Sequence, residues 1–229
     1  MNTANILISK SEVLRYAGHR GQAIDDRISA LVDAAISSCH RLARPKHIYR
    51  VFAIAQRASG LGLADTDTVL TGNDIAMHLR GAQQVALIAA TLGVEIDNEI
   101  RRLEHTDITA SLMLDAAATE GIEKYMNLVE ETLRLEAEKD MLTLGTRFSP
   151  GYGDLPLTLQ HDMLRLLDTS RRIGLTCLDS AIMLPRKSVT ALVGLFFEPQ
   201  QPRRSKCEAC VWHTQCTFQQ RSVNEPCSR

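Results

Sequence analysis

The chain has 229 residues, 45% of them hydrophobic, with 26 Lys and Arg against 27 Asp and Glu. That length allows one large domain or two small ones, each with a real core. A net charge of −1 excludes general electrostatic binding to nucleic acid, and no apolar run reaches the roughly 20 residues needed to span a bilayer.

The opening "MNTANILISKSEVLRY" lacks the charged and apolar regions of an export signal. The expected compartment is therefore the cytoplasm, where thiols stay reduced. "SKSEVLRYAGHRG" reads as a short helix capped by Ser9 or Ser11 and stopped at Gly18. Asp25 or Asp26 starts a second helix, in which Ile28, Leu31, Val32, Ala35 and Ile36 recur at helical spacing until Pro45 breaks the pattern. "KHIYRVFAIA" alternates Ile48, Val51 or Phe52, and Ile54 with polar residues, which predicts a strand. The Gly-, Asp- and Thr-rich "ASGLGLADTDTVLTGND" predicts a hairpin or paired short strands, and Asn73 or Asp74 caps a short helix that Gly81 ends. Val85 to Leu92 is apolar almost throughout. Its Leu and Ile favour a buried strand, its alanines a packed helix, and the strand is the preferred reading. Helical periodicity then runs over Val94–Arg102 and over Asp107–Asp140, the longest element. "LPLTLQHDMLRLLD" is amphipathic, with Leu159, Met163, Leu166 and Leu167 on one face. "RRIGLTCLDSAIMLPRKSVTALVGLFF" alternates like two strands joined at "PRKS". Helices mixed with antiparallel-looking strands and no βαβ regularity make the class α+β, with helices packed around a twisted sheet. Cys39 and Cys177 lie alone in apolar stretches as small hydrophobes, and His78, His105 and His161 sit singly on helices as surface residues.

Between the long helix and the amphipathic one lies "RFSPGYGDLP", Arg147 to Pro156. Pro150 and Gly151 set a tight turn, and Gly151 and Gly153 let backbone amides approach a ligand closely. Asp154 stands ready to cap the helix that follows. Arg147 offers a planar fork for a carboxylate, and Tyr152 a flat face for an adenine or ribose. Together they suit a small charged ligand that carries a ring.

"GTRFSPGYGDLPLTLQHDMLRLLD" followed by "IGLTCLDSAIMLPRKSV" resembles the activation (reactivation) domain of cobalamin-dependent methionine synthase. That family's pattern is Arg-x-x-Pro-Gly-Tyr, then a helix, then an Ile-Gly run closing on Met-x-Pro-x-x-Ser-Val. Arg147, Pro150, Gly151, Tyr152, Ile173, Gly174, Met183, Pro185, Ser188 and Val189 stand where it asks, with Leu178 and Ser180 in the same run. The resemblance is specific over about Gly145 to Val189 and looser over "VALIAATLGVEIDNEI" and "LDAAATEGIEKY". It implies a domain over residues 1–200 that binds S-adenosylmethionine and serves reductive remethylation of an inactive cobalamin. Arg147 would contact the methionine carboxylate, Pro150, Gly151 and Tyr152 would form the adjoining wall, and Glu120 would face the ligand's cationic groups. The pair of tyrosines beyond the family's Ser-Val strand is replaced here by Phe196 and Phe197. No homocysteine, folate or cobalamin module is present, so the chain resembles free-standing relatives that serve a separate corrinoid methyltransferase protein and a reductive electron donor. On these terms it is a component of a methyltransferase system and not a complete enzyme.

A Pro- and Arg-rich linker leads to a Cys-rich tail over residues 201–229. Cys207 and Cys210 have the spacing that lets two thiolates meet one metal; Cys216 and Cys227 follow, with His213 as a possible substitute. Zinc and an iron–sulfur cluster both fit thiolate ligation. Two other functions stay open at this stage: a corrinoid-protein docking or storage factor without methyl chemistry, and an electron-delivery accessory working through the tail.

Overall fold

Two helices, α1 (Lys10–Tyr16) and α2 (Asp26–Leu42), open the part of the chain that the computed structural model describes, residues 6–198. The expected tail, with Cys207, Cys210, Cys216 and Cys227, lies outside the described residues. Helix α2 begins where the Asp25 carboxylate accepts from the Ile28 amide at 2.8 Å, an N-cap that satisfies one orphan donor of the first turn. Then come β1 (Lys46–Arg57), β2 (Gly60–Leu63), β3 (Val69–Leu70), α3 (Asn73–His78), β4 (Gln84–Thr91), α4 (Val94–Glu104) and the long α5 (Ile108–Lys139). The remainder is β5 (Thr143–Phe148), α6 (Leu159–Leu166), α7 (Thr169–Ile173), the small hairpin of β6 (Thr176–Cys177) and β7 (Met183–Leu184), and β8 (Ser188–Phe196).

Six strands form one sheet in the order β3-β2-β1-β4-β8-β5, and every neighbouring pair is antiparallel. The α+β class expected from the sequence is the class observed. The sheet is a middle layer. On one side, Ala86, Ile88 and Ala90 of β4 and Ala191, Val193 and Leu195 of β8 pack under α1, α2, α4 and α5. On the other, Val85, Leu87, Ala89 and Leu192 pack under α3, α6 and α7. Successive strand residues point to opposite faces, so burial on both sides is why the β4 sequence is apolar without a break.

Four sequence expectations give way. Thr143–Phe148 forms an edge strand where only a turn was expected. The stretch before Ser188 is not a long strand: it holds α7 and a two-residue hairpin, and β8 alone is extended. Helix α3 has Gly72 at its N-cap, with no side-chain cap of its own. Its first amides are held from outside: Asn73 and Asp74 donate to the Asp154 carboxylate at 2.6 and 3.1 Å. Asp154 therefore caps α3 and not the helix after it, whose N-cap is Thr158.

Candidate functional site

The geometry around Arg147 begins with an irregularity in β5. Leu144 pairs with Leu195 and Arg147 with Val193, so two residues of β5, Gly145 and Thr146, stand opposite Gly194 alone. In an unbroken strand, positions 144 and 147 would face opposite sides. The extra residue reverses that parity, as a β-bulge does. Arg147 therefore shares the α5-facing side with Leu144, and Phe148 takes the other.

Against α5, the Arg147 guanidinium meets three polar side chains spaced along one stripe of the helix. Nη2 donates to Asn127 Oδ1 at 3.0 Å, Nη1 lies 3.3 Å from Glu123 Oε2, and Nε lies 2.7 Å from Glu130 Oε1. The Arg147 side chain is 11% exposed. Positions 123, 127 and 130 are one and two turns apart, so they line one side of the helix. No local motif marks them; their helical spacing along one side of α5 is their one signal in the sequence.

The bend after β5 is built tightly. Ser149 Oγ donates to the Thr190 carbonyl at 2.8 Å, and Pro150 is buried. The Gly151 amide donates to the Leu155 carbonyl at 2.9 Å and the Tyr152 amide to the Ser149 carbonyl at 3.1 Å. Those two amides close the bend on itself, so the Gly151 amide is taken up within the turn. Gly153 is left-handed, with φ of +53°, and a Cβ there would overlap the Asp74 carboxylate. The glycine is required by the approach of α3. Tyr152 is 39% exposed, and its ring meets Phe148 edge-on with centroids 6.3 Å apart. Phe148 leans in turn on His78 at 4.9 Å, and His78 Nε2 donates to the Thr146 carbonyl at 2.8 Å. His78 and His161 are half-buried and partnered, against the surface role expected of them; His161 Nδ1 lies 3.2 Å from Cys177 Sγ.

Glu120 is 3% exposed, not a solvated helix residue. Counted along α5, it lies seven residues before Asn127, hence on nearly the same side and about 10 Å nearer the helix start. There it lies close to Ser9 and Glu12, and it pairs with Lys124 at 3.4 Å. Oε1 is buried without an aligned hydrogen-bond donor among the described residues. Burial pushes the carboxyl up to about 6, against the lowering effect of Lys124. Arg147 and Glu120 thus lie along one side of α5. Tyr152 meets Phe148, whose side chain takes the other face of β5.

Elsewhere, burial pushes the Cys39 thiol up to about 12, which leaves it an inert core residue as expected. A groove of about 580 Å³ opens beside α3, lined by Ile54, Leu61, Met77 and Arg80 among others. None of Arg147, Pro150, Gly151, Tyr152 and Glu120 lines it. No helix among the described residues is long and apolar enough to cross a membrane.

No protein-family model and no curated protein matches the chain. A search of solved structures finds a likeness to the crystal structure of the MetH reactivation domain bound to AdoHcy. The TM-score is 0.60 and the identity 16%, over 87% of this chain and 73% of that one. At that identity the likeness is one of fold: this chain, like the MetH reactivation domain, sets helices around a largely antiparallel sheet.

Proposed function

We propose that the chain is an S-adenosylmethionine-binding reactivation module that serves reductive remethylation of the cobalamin of a separate corrinoid protein. One observation carries it. The fold is similar to that of a reactivation domain solved with AdoHcy, and the Arg147–Tyr152 motif that suggests the same family falls at one free edge of the sheet. There a guanidinium, acidic side chains on α5 and a half-exposed aromatic ring lie within one neighbourhood.

In this role Arg147 takes the ligand carboxylate through its fork. Tyr152, fixed edge-on to Phe148, supplies the flat wall for the adenosine. Pro150 and Gly151 set the bend that positions it, and Glu120 complements the ligand's positive groups from the start of the α5 stripe. When bound, S-adenosylmethionine supplies the methyl group, while the electron comes from an outside donor. The chain's own contribution is positioning and field, which requires no general acid or base. The tail cysteines belong to this proposal only as a possible zinc or iron–sulfur site.

Calorimetric titration of S-adenosylmethionine into the full chain tests the proposal. Micromolar binding is expected, and Arg147→Ala is expected to weaken it at least about tenfold, since a charge-assisted pair is worth roughly 1.5–3 kcal/mol. Binding that is absent, or indifferent to Arg147, excludes the assignment.

A further inference from the structure

We infer that Glu123 and Glu130 select the charge of the ligand at this site, favouring the sulfonium form over its demethylated product; the inference rests on the role proposed above for Arg147. The Arg147 guanidinium is not waiting in solvent. It is held by Glu123 at 3.3 Å, Glu130 at 2.7 Å and Asn127 at 3.0 Å, with the two carboxylate side chains 25% and 19% exposed. Among these four side chains, one positive charge faces two negative ones.

Two consequences follow from that imbalance. A ligand carboxylate reaches Arg147 by taking the place of Asn127 or of a glutamate at the fork, in either case beside a remaining carboxylate, so a ligand that brings an anion alone gains little. A ligand that also brings positive charge satisfies the glutamate it displaces. S-adenosylmethionine carries a carboxylate, an ammonium and a sulfonium, and is net positive. S-adenosylhomocysteine has lost the sulfonium and is net neutral. The cluster therefore favours the methyl donor and releases the product, with Glu123 and Glu130 acting as specificity-determining residues and not as catalytic ones.

The test is titration of both ligands into the wild-type chain, Glu123→Gln and Glu130→Gln. Each substitution keeps the shape of the side chain and removes one charge. The wild type is expected to bind S-adenosylmethionine more tightly. Each variant is expected to narrow the ratio of the two affinities about fivefold, the effect of one screened charge a few ångströms away. A purely structural clamp on Arg147 shifts both affinities together and leaves the ratio unchanged. That result overturns the inference while leaving the binding role of Arg147 intact. Failure of the wild type to bind either ligand removes both. Should neither variant fold, the wild type alone decides: the ratio is expected to fall as salt rises from 0.05 to about 0.5 M, and a ratio indifferent to salt overturns the charge selection.

Discussion

Glu120→Gln separates the stability of the fold from the function proposed for it. Unfolded, the Glu120 carboxyl titrates near 4.5; buried at 3% exposure beside α1, it titrates near 6. Because the folded value is the higher, the protonated acid is what the fold favours. Its favourable contribution is complete below pH 4.5 and lost as pH rises through 6. The displacement between the two values is worth about 2 kcal/mol at neutral pH. Gln has the same shape, cannot ionise, and offers an amide to the buried position. It also deprives Lys124 of its partner, a small loss because the Lys124 side chain is 36% exposed. The net expectation is a gain of about 1–2 kcal/mol at pH 7.5, or roughly 2–8 °C in Tm for a domain of this size, shrinking to nothing by pH 4. Thermal unfolding of both proteins by circular dichroism between pH 4 and 8 measures it. A difference independent of pH, or a variant less stable at pH 7.5, refutes the account of Glu120 as a carboxylate ionised at a cost. The same variant titrated with S-adenosylmethionine then tests function. A gain in stability with a loss of binding is the pattern of a residue kept for its ligand.

Two further substitutions probe the bend. Asp154→Ala removes the acceptor for two α3 amides and is expected to lower stability by about 1–2 kcal/mol, read as a shift of the urea midpoint; Asp154→Asn is expected to keep most of it. Gly153→Ala combines a left-handed φ with an overlap on Asp74, whereas Gly81→Ala has a left-handed φ and open space around it. The first is expected to cost about 1–3 kcal/mol and the second about 1, so the order of the two denaturation midpoints is the check.

Most helices were legible because one element carries its own evidence: the Asp25 cap, the heptad-like recurrence through Val32 and Ala35, and Pro45 beyond the end mark α2 unaided. The Val85–Leu92 run was ambiguous because burial on both faces erases the alternation that identifies a strand. Thr143–Phe148 was missed for a different reason. It is a six-residue edge strand interrupted by a bulge at Gly145 and Thr146, so neither period 2 nor a continuous apolar run survives in it. Asp154 was assigned to the wrong helix because a capping carboxylate is read from its neighbours in sequence, and its partners here are 80 residues away. Arg147 could be named from its motif, but its present partners on α5 are set by tertiary packing.

"RFSPGYG" reads in sequence as one contiguous site, yet β geometry distributes it over two surfaces. The bulge sends Arg147 to the α5 face, while Phe148, which the Tyr152 ring meets edge-on, belongs to the α3 face. In a central strand such residues are separated by the sheet, and no small ligand touches both. In β5 they are separated only by a backbone whose outer edge pairs with no other strand among the described residues. A ligand that engages Arg147 and Tyr152 together must therefore lie across that edge, extended, with its charged end toward Glu123 and Glu130 and its ring toward Tyr152. Under the proposed function, the amino-acid group of the ligand takes one face of this edge and its aromatic base the other.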